Sequence, residues 1–508
     1  MGPNPSTSPP PANPARTAEV LRTFFLDHPE VQLSEAGRPL TRLGGKHTGY
    51  ALHPDAQKLV GHFWSPDANL VRRILGVHHQ GNQRLELDVL RLGRTRPSRL
   101  TLSTAHAAAC AGPDRLAFRQ AIAASAQQEW RGWSLAPEHG ATPERSPIQR
   151  FLYRRQKQLL VCVALDGESS GSPAAAGVLT ALAQALVWAE QCRQREPRSV
   201  LAAVRLILPP GGETWLRLLR PGLRVAPPLQ CYRWDRSAAR LDPVALSDAG
   251  NSTSVLRRVP AANDPGAEAT DLLARVRSHC PQATWETSPD GYGYIAVYGL
   301  EVVRESNDPA LAPFVFGTAG EQTPLLPATD DLFSHWLAAV AMARVPGGHR
   351  NLPLYALQPE RWLAHLLRHD PSALDARLRS RRVYAEVPIA TPAGAGVLDL
   401  LALDQDGRLI VLELKTSENL EFPLQALLYW LQVRQHQLQG DFERLGYFAG
   451  HSLSAQPPLL WMIAPALRWH PKTHLLTRWF SPDVPCELIG LNEEWRQRLQ
   501  IIFRRPST

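Results

Sequence analysis

The chain has 508 residues, 44% of them hydrophobic and 20% charged, with a formal net charge of +8. That length exceeds one compact core and predicts an α/β protein of two to four domains, while the composition excludes a collagen-like or wholly disordered chain. No apolar run approaches the roughly 18–20 residues of a bilayer span, and the start lacks the apolar stretch of a signal peptide, so the expected location is the cytoplasm, without membrane contact.

In chain order, residues 1–16 are rich in proline and read as a disordered tail. Residues 17–246 read as an N-terminal α/β domain of unassigned role. Its clearest elements are a helix over 116–130, a strand over 159–165, a helix over 178–195 and a strand over 200–209. Gly44-Gly45-Lys46-His47-Thr48 lacks the spacing of a phosphate-binding loop, and His78-His79 sits between turn residues, where exposure to solvent is expected. The cysteines at 110, 162, 192, 231, 280 and 486 form no Cys-x-x-Cys pair, which argues against a zinc site or a disulfide framework and suits a reducing compartment. Residues 247–266 are rich in Asp, Asn, Ser and Pro and read as a linker. Residues 267–350 form a small α/β module with a helix, strand-like runs over 294–303 and 313–317, and a helix over 331–344 that ends at Pro346-Gly-Gly.

Residues 351–508 carry the chemistry. Pro359 opens a helix bearing Trp362, Leu363, Leu366 and Leu367, and Asp370-Pro371 stops it. Glu360 shares a face with Leu363 and Leu367, from which it could reach a metal through water, although the helix dipole alone also favours an acid in a first turn. Strands follow over 383–389, 397–403 and 409–416, the last two joined by the hairpin turn Asp406-Gly407. Glu386, in the first of them, is a further candidate ligand. Gly394-Ala-Gly396 reads as a tight turn.

Asp399 interrupts one apolar strand, and Glu413 and Lys415 interrupt the next on a shared face, so two carboxylates and an ammonium converge if the strands pair. Hard oxygen donors at that density suit Mg²⁺ or Mn²⁺. The chain has only five lysines, so a generic cation at 415 would be arginine. The bland alternative is a structural ion pair between Glu413 and Lys415. Pro423 then begins a helix with Leu424, Leu427, Leu428 and Leu431 on one face, and Glu421, Gln425, Tyr429, Gln432 and His436 on the other. Gln425 and Tyr429 are one turn apart and can reach a phosphate or a metal-bound water. A plain solvated face is the competing reading for them and for His436. Strands over 459–464 and 486–490 complete the pattern.

Asp399, then Glu413-Leu414-Lys415, then Gln425-x-x-x-Tyr429 resembles the PD-(D/E)XK nuclease superfamily with the Gln-x-x-x-Tyr helix of its RecB-like branch, over about Leu357 to Asn492. The resemblance implies a restriction-endonuclease-like core of helix, three-stranded meander, helix and strand. It also implies a Mg²⁺-dependent or Mn²⁺-dependent hydrolase of nucleic acid, DNA in the first instance, with Asp399 and Glu413 on the metal and Lys415, Gln425 and Tyr429 beside it. Basic clusters at Arg72-Arg73, 91–99, 150–157 and 377–382 would serve such a partner, or are merely solvated faces. The β, α, β order of the N-terminal half invites comparison with the same fold, yet its strands LLVCVAL and AAVRLIL lack paired acids, so no metal site is expected there. Two other readings stay open: a catalytically inactive nucleic-acid-binding or regulatory protein on this fold, and a defence nuclease triggered through the N-terminal half.

Overall fold

The computed structural model describes residues 14–507 except for 36–37, 45–47, 56–57, 67, 82, 92–96, 105–114, 137–146, 168–174, 248–253, 259–263, 308–311, 319–320, 380–381 and 392–393. The chain is mixed α/β and forms two compact units, Met1–Ala111 with Pro260–Trp362, and Gly112–Val259 with Leu363–Thr508. These units divide the chain differently from the expected segments 17–246, 267–350 and 351–508, because each unit is assembled from two stretches of sequence. The expected tail ends early, since Pro14–Arg16 already belong to a helix.

In the first unit, period-two burial in runs such as Val31–Glu35 and Arg84–Arg91 marks half-buried strands. Seven strands form a wholly antiparallel sheet in the order Arg38–Leu43, Val31–Glu35, Ser98–Thr104, Arg84–Arg91, Asn69–Gln80, Leu59–Trp64, Gly49–Pro54. Helix Pro14–Asp27 buries Leu21, Phe24 and Phe25 in its core. Among the described residues of 31–104 the regular elements are strands, and the helices of the expected α/β segment lie on either side, at Pro14–Asp27 and from Arg115 onward. His78 and His79 are exposed, as expected, but at the end of a strand. The expected basic clusters do not all face solvent either. Arg72 is 1% exposed, and its Nη2 donates to Glu35 Oε2 at 2.7 Å, which Arg91 Nη2 also reaches at 2.9 Å.

A second, five-stranded antiparallel sheet of this unit spans Thr284–Pro324, accompanied by helices Ala267–His279 and Asp330–Ala343. The run expected as one strand over 294–303 is a hairpin. Tyr298 and Gly299 both take positive φ, 47° and 73°, and make the two-residue turn between Gly293–Val297 and Leu300–Glu305.

The second unit is labelled in chain order. Its first part comprises α1 (Arg115–Glu129), β1 (Ser134–Leu135), β2 (Ile148–Arg155), β3 (Gln158–Leu165), α2 (Ala175–Arg195), β4 (Val200–Leu208), α3 (Glu213–Leu219), β5 (Leu229–Asp235) and β6 (Arg240–Val244). Strand β7 (Val255–Leu256) lies in the expected linker and pairs with the second sheet. The later part comprises α4 (Pro359–His369), within which the units divide, then β8 (Val383–Thr391), β9 (Gly394–Leu403), β10 (Leu409–Leu414), α5 (Phe422–Leu438), β11 (Leu459–Pro465), α6 (Thr473–Thr477), β12 (Cys486–Leu491) and β13 (Ile501–Pro506).

Both sheets have one topology. In the first, β1–β2 and β2–β3 are antiparallel, β3–β4 and β4–β5 parallel, and β5–β6 antiparallel. In the second, β8 to β13 repeat that series step for step. The parallel steps require crossovers, which α2 and α3 supply in the first sheet and α5 and α6 in the second. Helices α2, α3, α5 and α6 lie between the sheets in one continuous apolar core containing Val161, Leu186, Leu216, Val411, Leu427 and Met462.

Cys162, Cys192, Cys231, Cys280 and Cys486 are buried free thiols, and Cys110 lies outside the described residues, as do the middle residues of Gly44-to-Thr48. No helix among the described residues is long and apolar enough to cross a membrane.

Burial opposes ionisation of Glu35, but hydrogen bonds from Arg91, Arg72 and Ser98 outweigh it and hold the carboxyl at about 2, below its usual 4.5. A depressed carboxyl stabilises the fold above its unfolded pKa and loses that contribution as pH falls. The first unit should therefore weaken as pH drops from 4.5 towards 2. Glu35→Ala, which strands a buried guanidinium, should cost about 3–5 kcal/mol at neutral pH. Urea titrations followed by hydrogen exchange in Leu85–Val89 check both, and a wild-type-like Glu35→Ala would refute the role given to this cluster.

Candidate active site on the second sheet

Strands β9 and β10 pair antiparallel from Leu403↔Leu409 to Leu400↔Leu412, so the next step sets Asp399 across from Glu413. There the Asp399 side chain takes over from the backbone ladder: Leu414 N–H donates to its Oδ2 at 2.8 Å. The expected convergence of Asp399 and Glu413 is thus a matter of register, fixed by the Asp406-Gly407 turn, where Gly407 takes φ 77°.

Glu413 is 1% exposed, an environment in which a carboxylate needs a positive neighbour. Lys415, two residues on and on the same side, places Nζ 3.5 Å from Glu413 Oε1. Its own N–H donates to Ile463 O at 3.0 Å, extending the β10–β11 pairing past the strand end. Lys415 Nζ also lies 5.9 Å from the centre of the Phe422 ring, at the start of α5.

Helix α5 closes the site from above. Tyr429 is held well above the ordinary phenol pKa, first by burial and then by the charges of Glu413 and Asp399, while hydrogen bonds to the Val397 backbone and the Gln425 side chain pull the other way. Its hydroxyl therefore stays protonated and available as a donor. Gln425 and Tyr429, one turn apart, engage each other instead of forming a solvated stripe. Tyr429 fits because position 396 is glycine: a Cβ there would come within 3.2 Å of Tyr429 Cε1. Gly394-Ala-Gly396, expected as a turn, forms the start of β9, and residues 392–393 lie outside the described residues. The second glycine was the one signal in the sequence for this close approach.

The rest of the polar face of α5 is not solvated. Gln432 and His436 are buried, and His436 Nδ1 lies 2.6 Å from Asp441 Oδ2 with its Nε2 2.9 Å from Ser254 Oγ. Glu421 accepts a hydrogen bond from Thr180 on α2. The helix is enclosed because α2 and α3 cover the side that a single sheet would leave open.

The two further acid candidates are placed differently. Glu386 falls between the pairs Ala385↔Leu400 and Val387↔Leu398, level with Asp399, but with φ 52°, a left-handed conformation unusual for a strand residue. Glu360 stands in the first turn of α4, in the part of that helix that belongs to the first unit. Among the described residues no three His, Cys, Asp or Glu side chains gather to hold an ion. The acids brought together are Asp399 and Glu413. Two carboxylates are a sufficient protein contribution for a hard divalent cation that keeps several waters or takes substrate oxygens, so this donor set fits Mg²⁺ or Mn²⁺.

No family model matches the chain, and no curated protein matches it.

Asp399→Ala should lower stability by about 1–3 kcal/mol, because it leaves the buried Leu414 N–H without its acceptor. Asp399→Asn keeps an acceptor oxygen and removes a charge beside Glu413, so it should match or exceed the wild type. Denaturant melts of the metal-free proteins make the comparison, and equal stability of the two variants would contradict this role for Asp399.

Proposed function

We propose that the second unit hydrolyses phosphodiester bonds in nucleic acid, DNA in the first instance, with Mg²⁺ or Mn²⁺ bound by Asp399 and Glu413. The observation that carries this reading is a buried carboxylate, Glu413, set across from Asp399 with the Lys415 ammonium 3.5 Å away. The order α4, then the meander β8–β10, then α5, then β11 parallel to β10 agrees with a restriction-endonuclease-like core and supports the same reading.

A divalent ion at such a site supplies charge stabilisation at the phosphate and a more acidic bound water. The chain's own residues do the rest. Lys415 orients the attacking water or offsets negative charge growing on the phosphate, a task for which a compact ammonium suits better than a planar guanidinium. Tyr429, kept protonated, donates from the helix side, and Gln425 fixes its hydroxyl. In balance, the water oxygen bonds to phosphorus, one P–O ester bond breaks, the departing oxygen leaves as an alcohol and the water's second proton remains on the product phosphate or passes to solvent.

The deciding experiment incubates purified protein with labelled single-stranded and double-stranded DNA and RNA, with Mg²⁺, Mn²⁺ or EDTA. Cleavage is expected with either ion and none with EDTA. Glu413→Gln and Lys415→Arg should each lose about 10²–10³-fold or more in rate while remaining folded. Binding without cleavage under every condition would favour a nucleic-acid-binding protein on this fold. A second readout needs no substrate: tenfold excess of Mn²⁺ over its dissociation constant should add about 1.4 kcal/mol to the wild type. The same addition should leave Glu413→Gln unchanged, and an equal gain in both would reject Glu413 as a ligand.

A further inference from the structure

The repeated topology of the second unit extends to individual positions. Glu413 pairs with Met462, three residues before Pro465, and Val163 pairs with Leu206, three residues before Pro209. Asp399 stands across from Glu413 in one copy, and Arg150 stands across from Val163 in the other. The crossover helices carry Gln425-Ala-Leu-Leu-Tyr429 and Gln184-Ala-Leu-Val-Trp188. Space agrees with this correspondence. Arg150 Nη2 donates to Gln184 Oε1 at 3.1 Å, and its guanidinium lies 5.9 Å from the centre of a Trp188 ring.

The copies also meet at matching points. Leu223 after α3 bridges Phe480 after α6, with Arg224 N–H donating to Trp479 O at 2.8 Å and Ser481 N–H to Gly222 O at 2.7 Å. Helix α5 packs on α3 while α2 packs on α6. Thr180 hydrogen-bonds Glu421 across 241 residues, the interval that also separates Gln184 from Gln425. Each contact maps onto itself or its counterpart when the copies are exchanged, as expected about an approximate two-fold axis.

In the first copy the metal centre is overwritten. Arg150 and Val163 replace the two acids, and Leu165 replaces the lysine, so two carboxylates and an ammonium give way to a lone guanidinium. Arg150 is half-buried, and its Nε has no hydrogen-bond partner. Among the described residues its side chain meets Gln184 and Trp188 and no carboxylate. The indole Nε1 of buried Trp188 likewise has no hydrogen-bond partner. A desolvated cation without a counter-charge is unfavourable, and the guanidinium fork is matched by two oxygens of a phosphate. We infer that this overwritten centre binds a backbone phosphate of nucleic acid without cleaving it, holding substrate beside the segment presented to Asp399 and Glu413. The identity of the ligand rests on the function proposed above.

The test measures affinity of the full chain for a short DNA duplex, and for its single strand, in EDTA across a salt series, where cleavage plays no part. Arg150→Gln should weaken binding about tenfold at low salt and make the log–log salt slope shallower by about 1, one phosphate contact fewer. Its melting point should hold or rise, since an unpaired cation is removed. In the unaltered chain the duplex should also shield Arg150 from a dicarbonyl arginine reagent, read by peptide mass spectrometry. An unchanged affinity and slope in a folded Arg150→Gln overturns the inference. So does labelling of Arg150 that the duplex fails to reduce, an Arg150 that never reacts, or a wild type that binds neither form. Loss of Mg²⁺-dependent cleavage with the Arg150 effect intact would instead count against the proposed nuclease.

Discussion

Glu413 is the constraint on which the site depends. Moving a carboxylate out of water costs several kcal/mol even after the protein relaxes, and a single ion pair returns that only with good geometry. Lys415 Nζ sits 3.5 Å from Glu413 Oε1 and is itself partly exposed. Asp399 is anchored by the Leu414 N–H, the Tyr429 hydroxyl is kept protonated by burial and then by two negative charges, and Gln425 hydrogen-bonds it. On the function proposed above, a divalent cation would add positive charge beside both carboxylates.

The helix layer is the second constraint. A crossover helix on one sheet normally keeps a polar outer face, and the sequence of α5 has one. Here that face meets α2 and α3, so Gln432, His436 and Glu421 lie inside and need partners, which Ser254, Asp441 and Thr180 supply to the last two. Duplication of the fold thus explains residues that one copy alone would leave unexplained. The two crossover helices meet near their starts, where Thr180, in the second turn of α2, hydrogen-bonds Glu421 just before α5.

Much of the second sheet was legible. Apolar runs bounded by turn residues located β8 to β12 within a few residues, and a proline and a leucine stripe located α5, because these signals are local. Non-local features were not legible. Runs in residues 31–104 such as Arg84–Arg91 do alternate, but alternation is local and nothing in it announces which strands pair or that seven join in one sheet. Tyr298-Gly299 was hidden inside what looked like continuous β sequence. The partition of the chain into units each built from two stretches leaves no compositional mark, and the burial of His436 depends on tertiary partners, Asp441 and the distant Ser254, that helix periodicity does not reveal. Arg150, Gln184 and Trp188 were missed although Gln-Ala-Leu occurs at matching places on both crossover helices. A three-residue match means little until topology aligns the copies.

That alignment gives the molecule an internal control. The same order of strands and helices is built once with Asp399, Glu413 and Lys415, and once with Arg150, Val163 and Leu165. Val163 is fully buried in the same core that accepts Glu413's neighbours, so the sheet closes as well around a methyl-rich side chain as around a carboxylate. Replacing buried charges by apolar residues of similar volume is in general neutral or stabilising. The fold therefore has no need of the acidic set, and a structural ion pair is a poor account of why Glu413 and Lys415 lie where valine and leucine suffice. On the function and the inference proposed above, the acidic centre would take a cation and the arginine an anion.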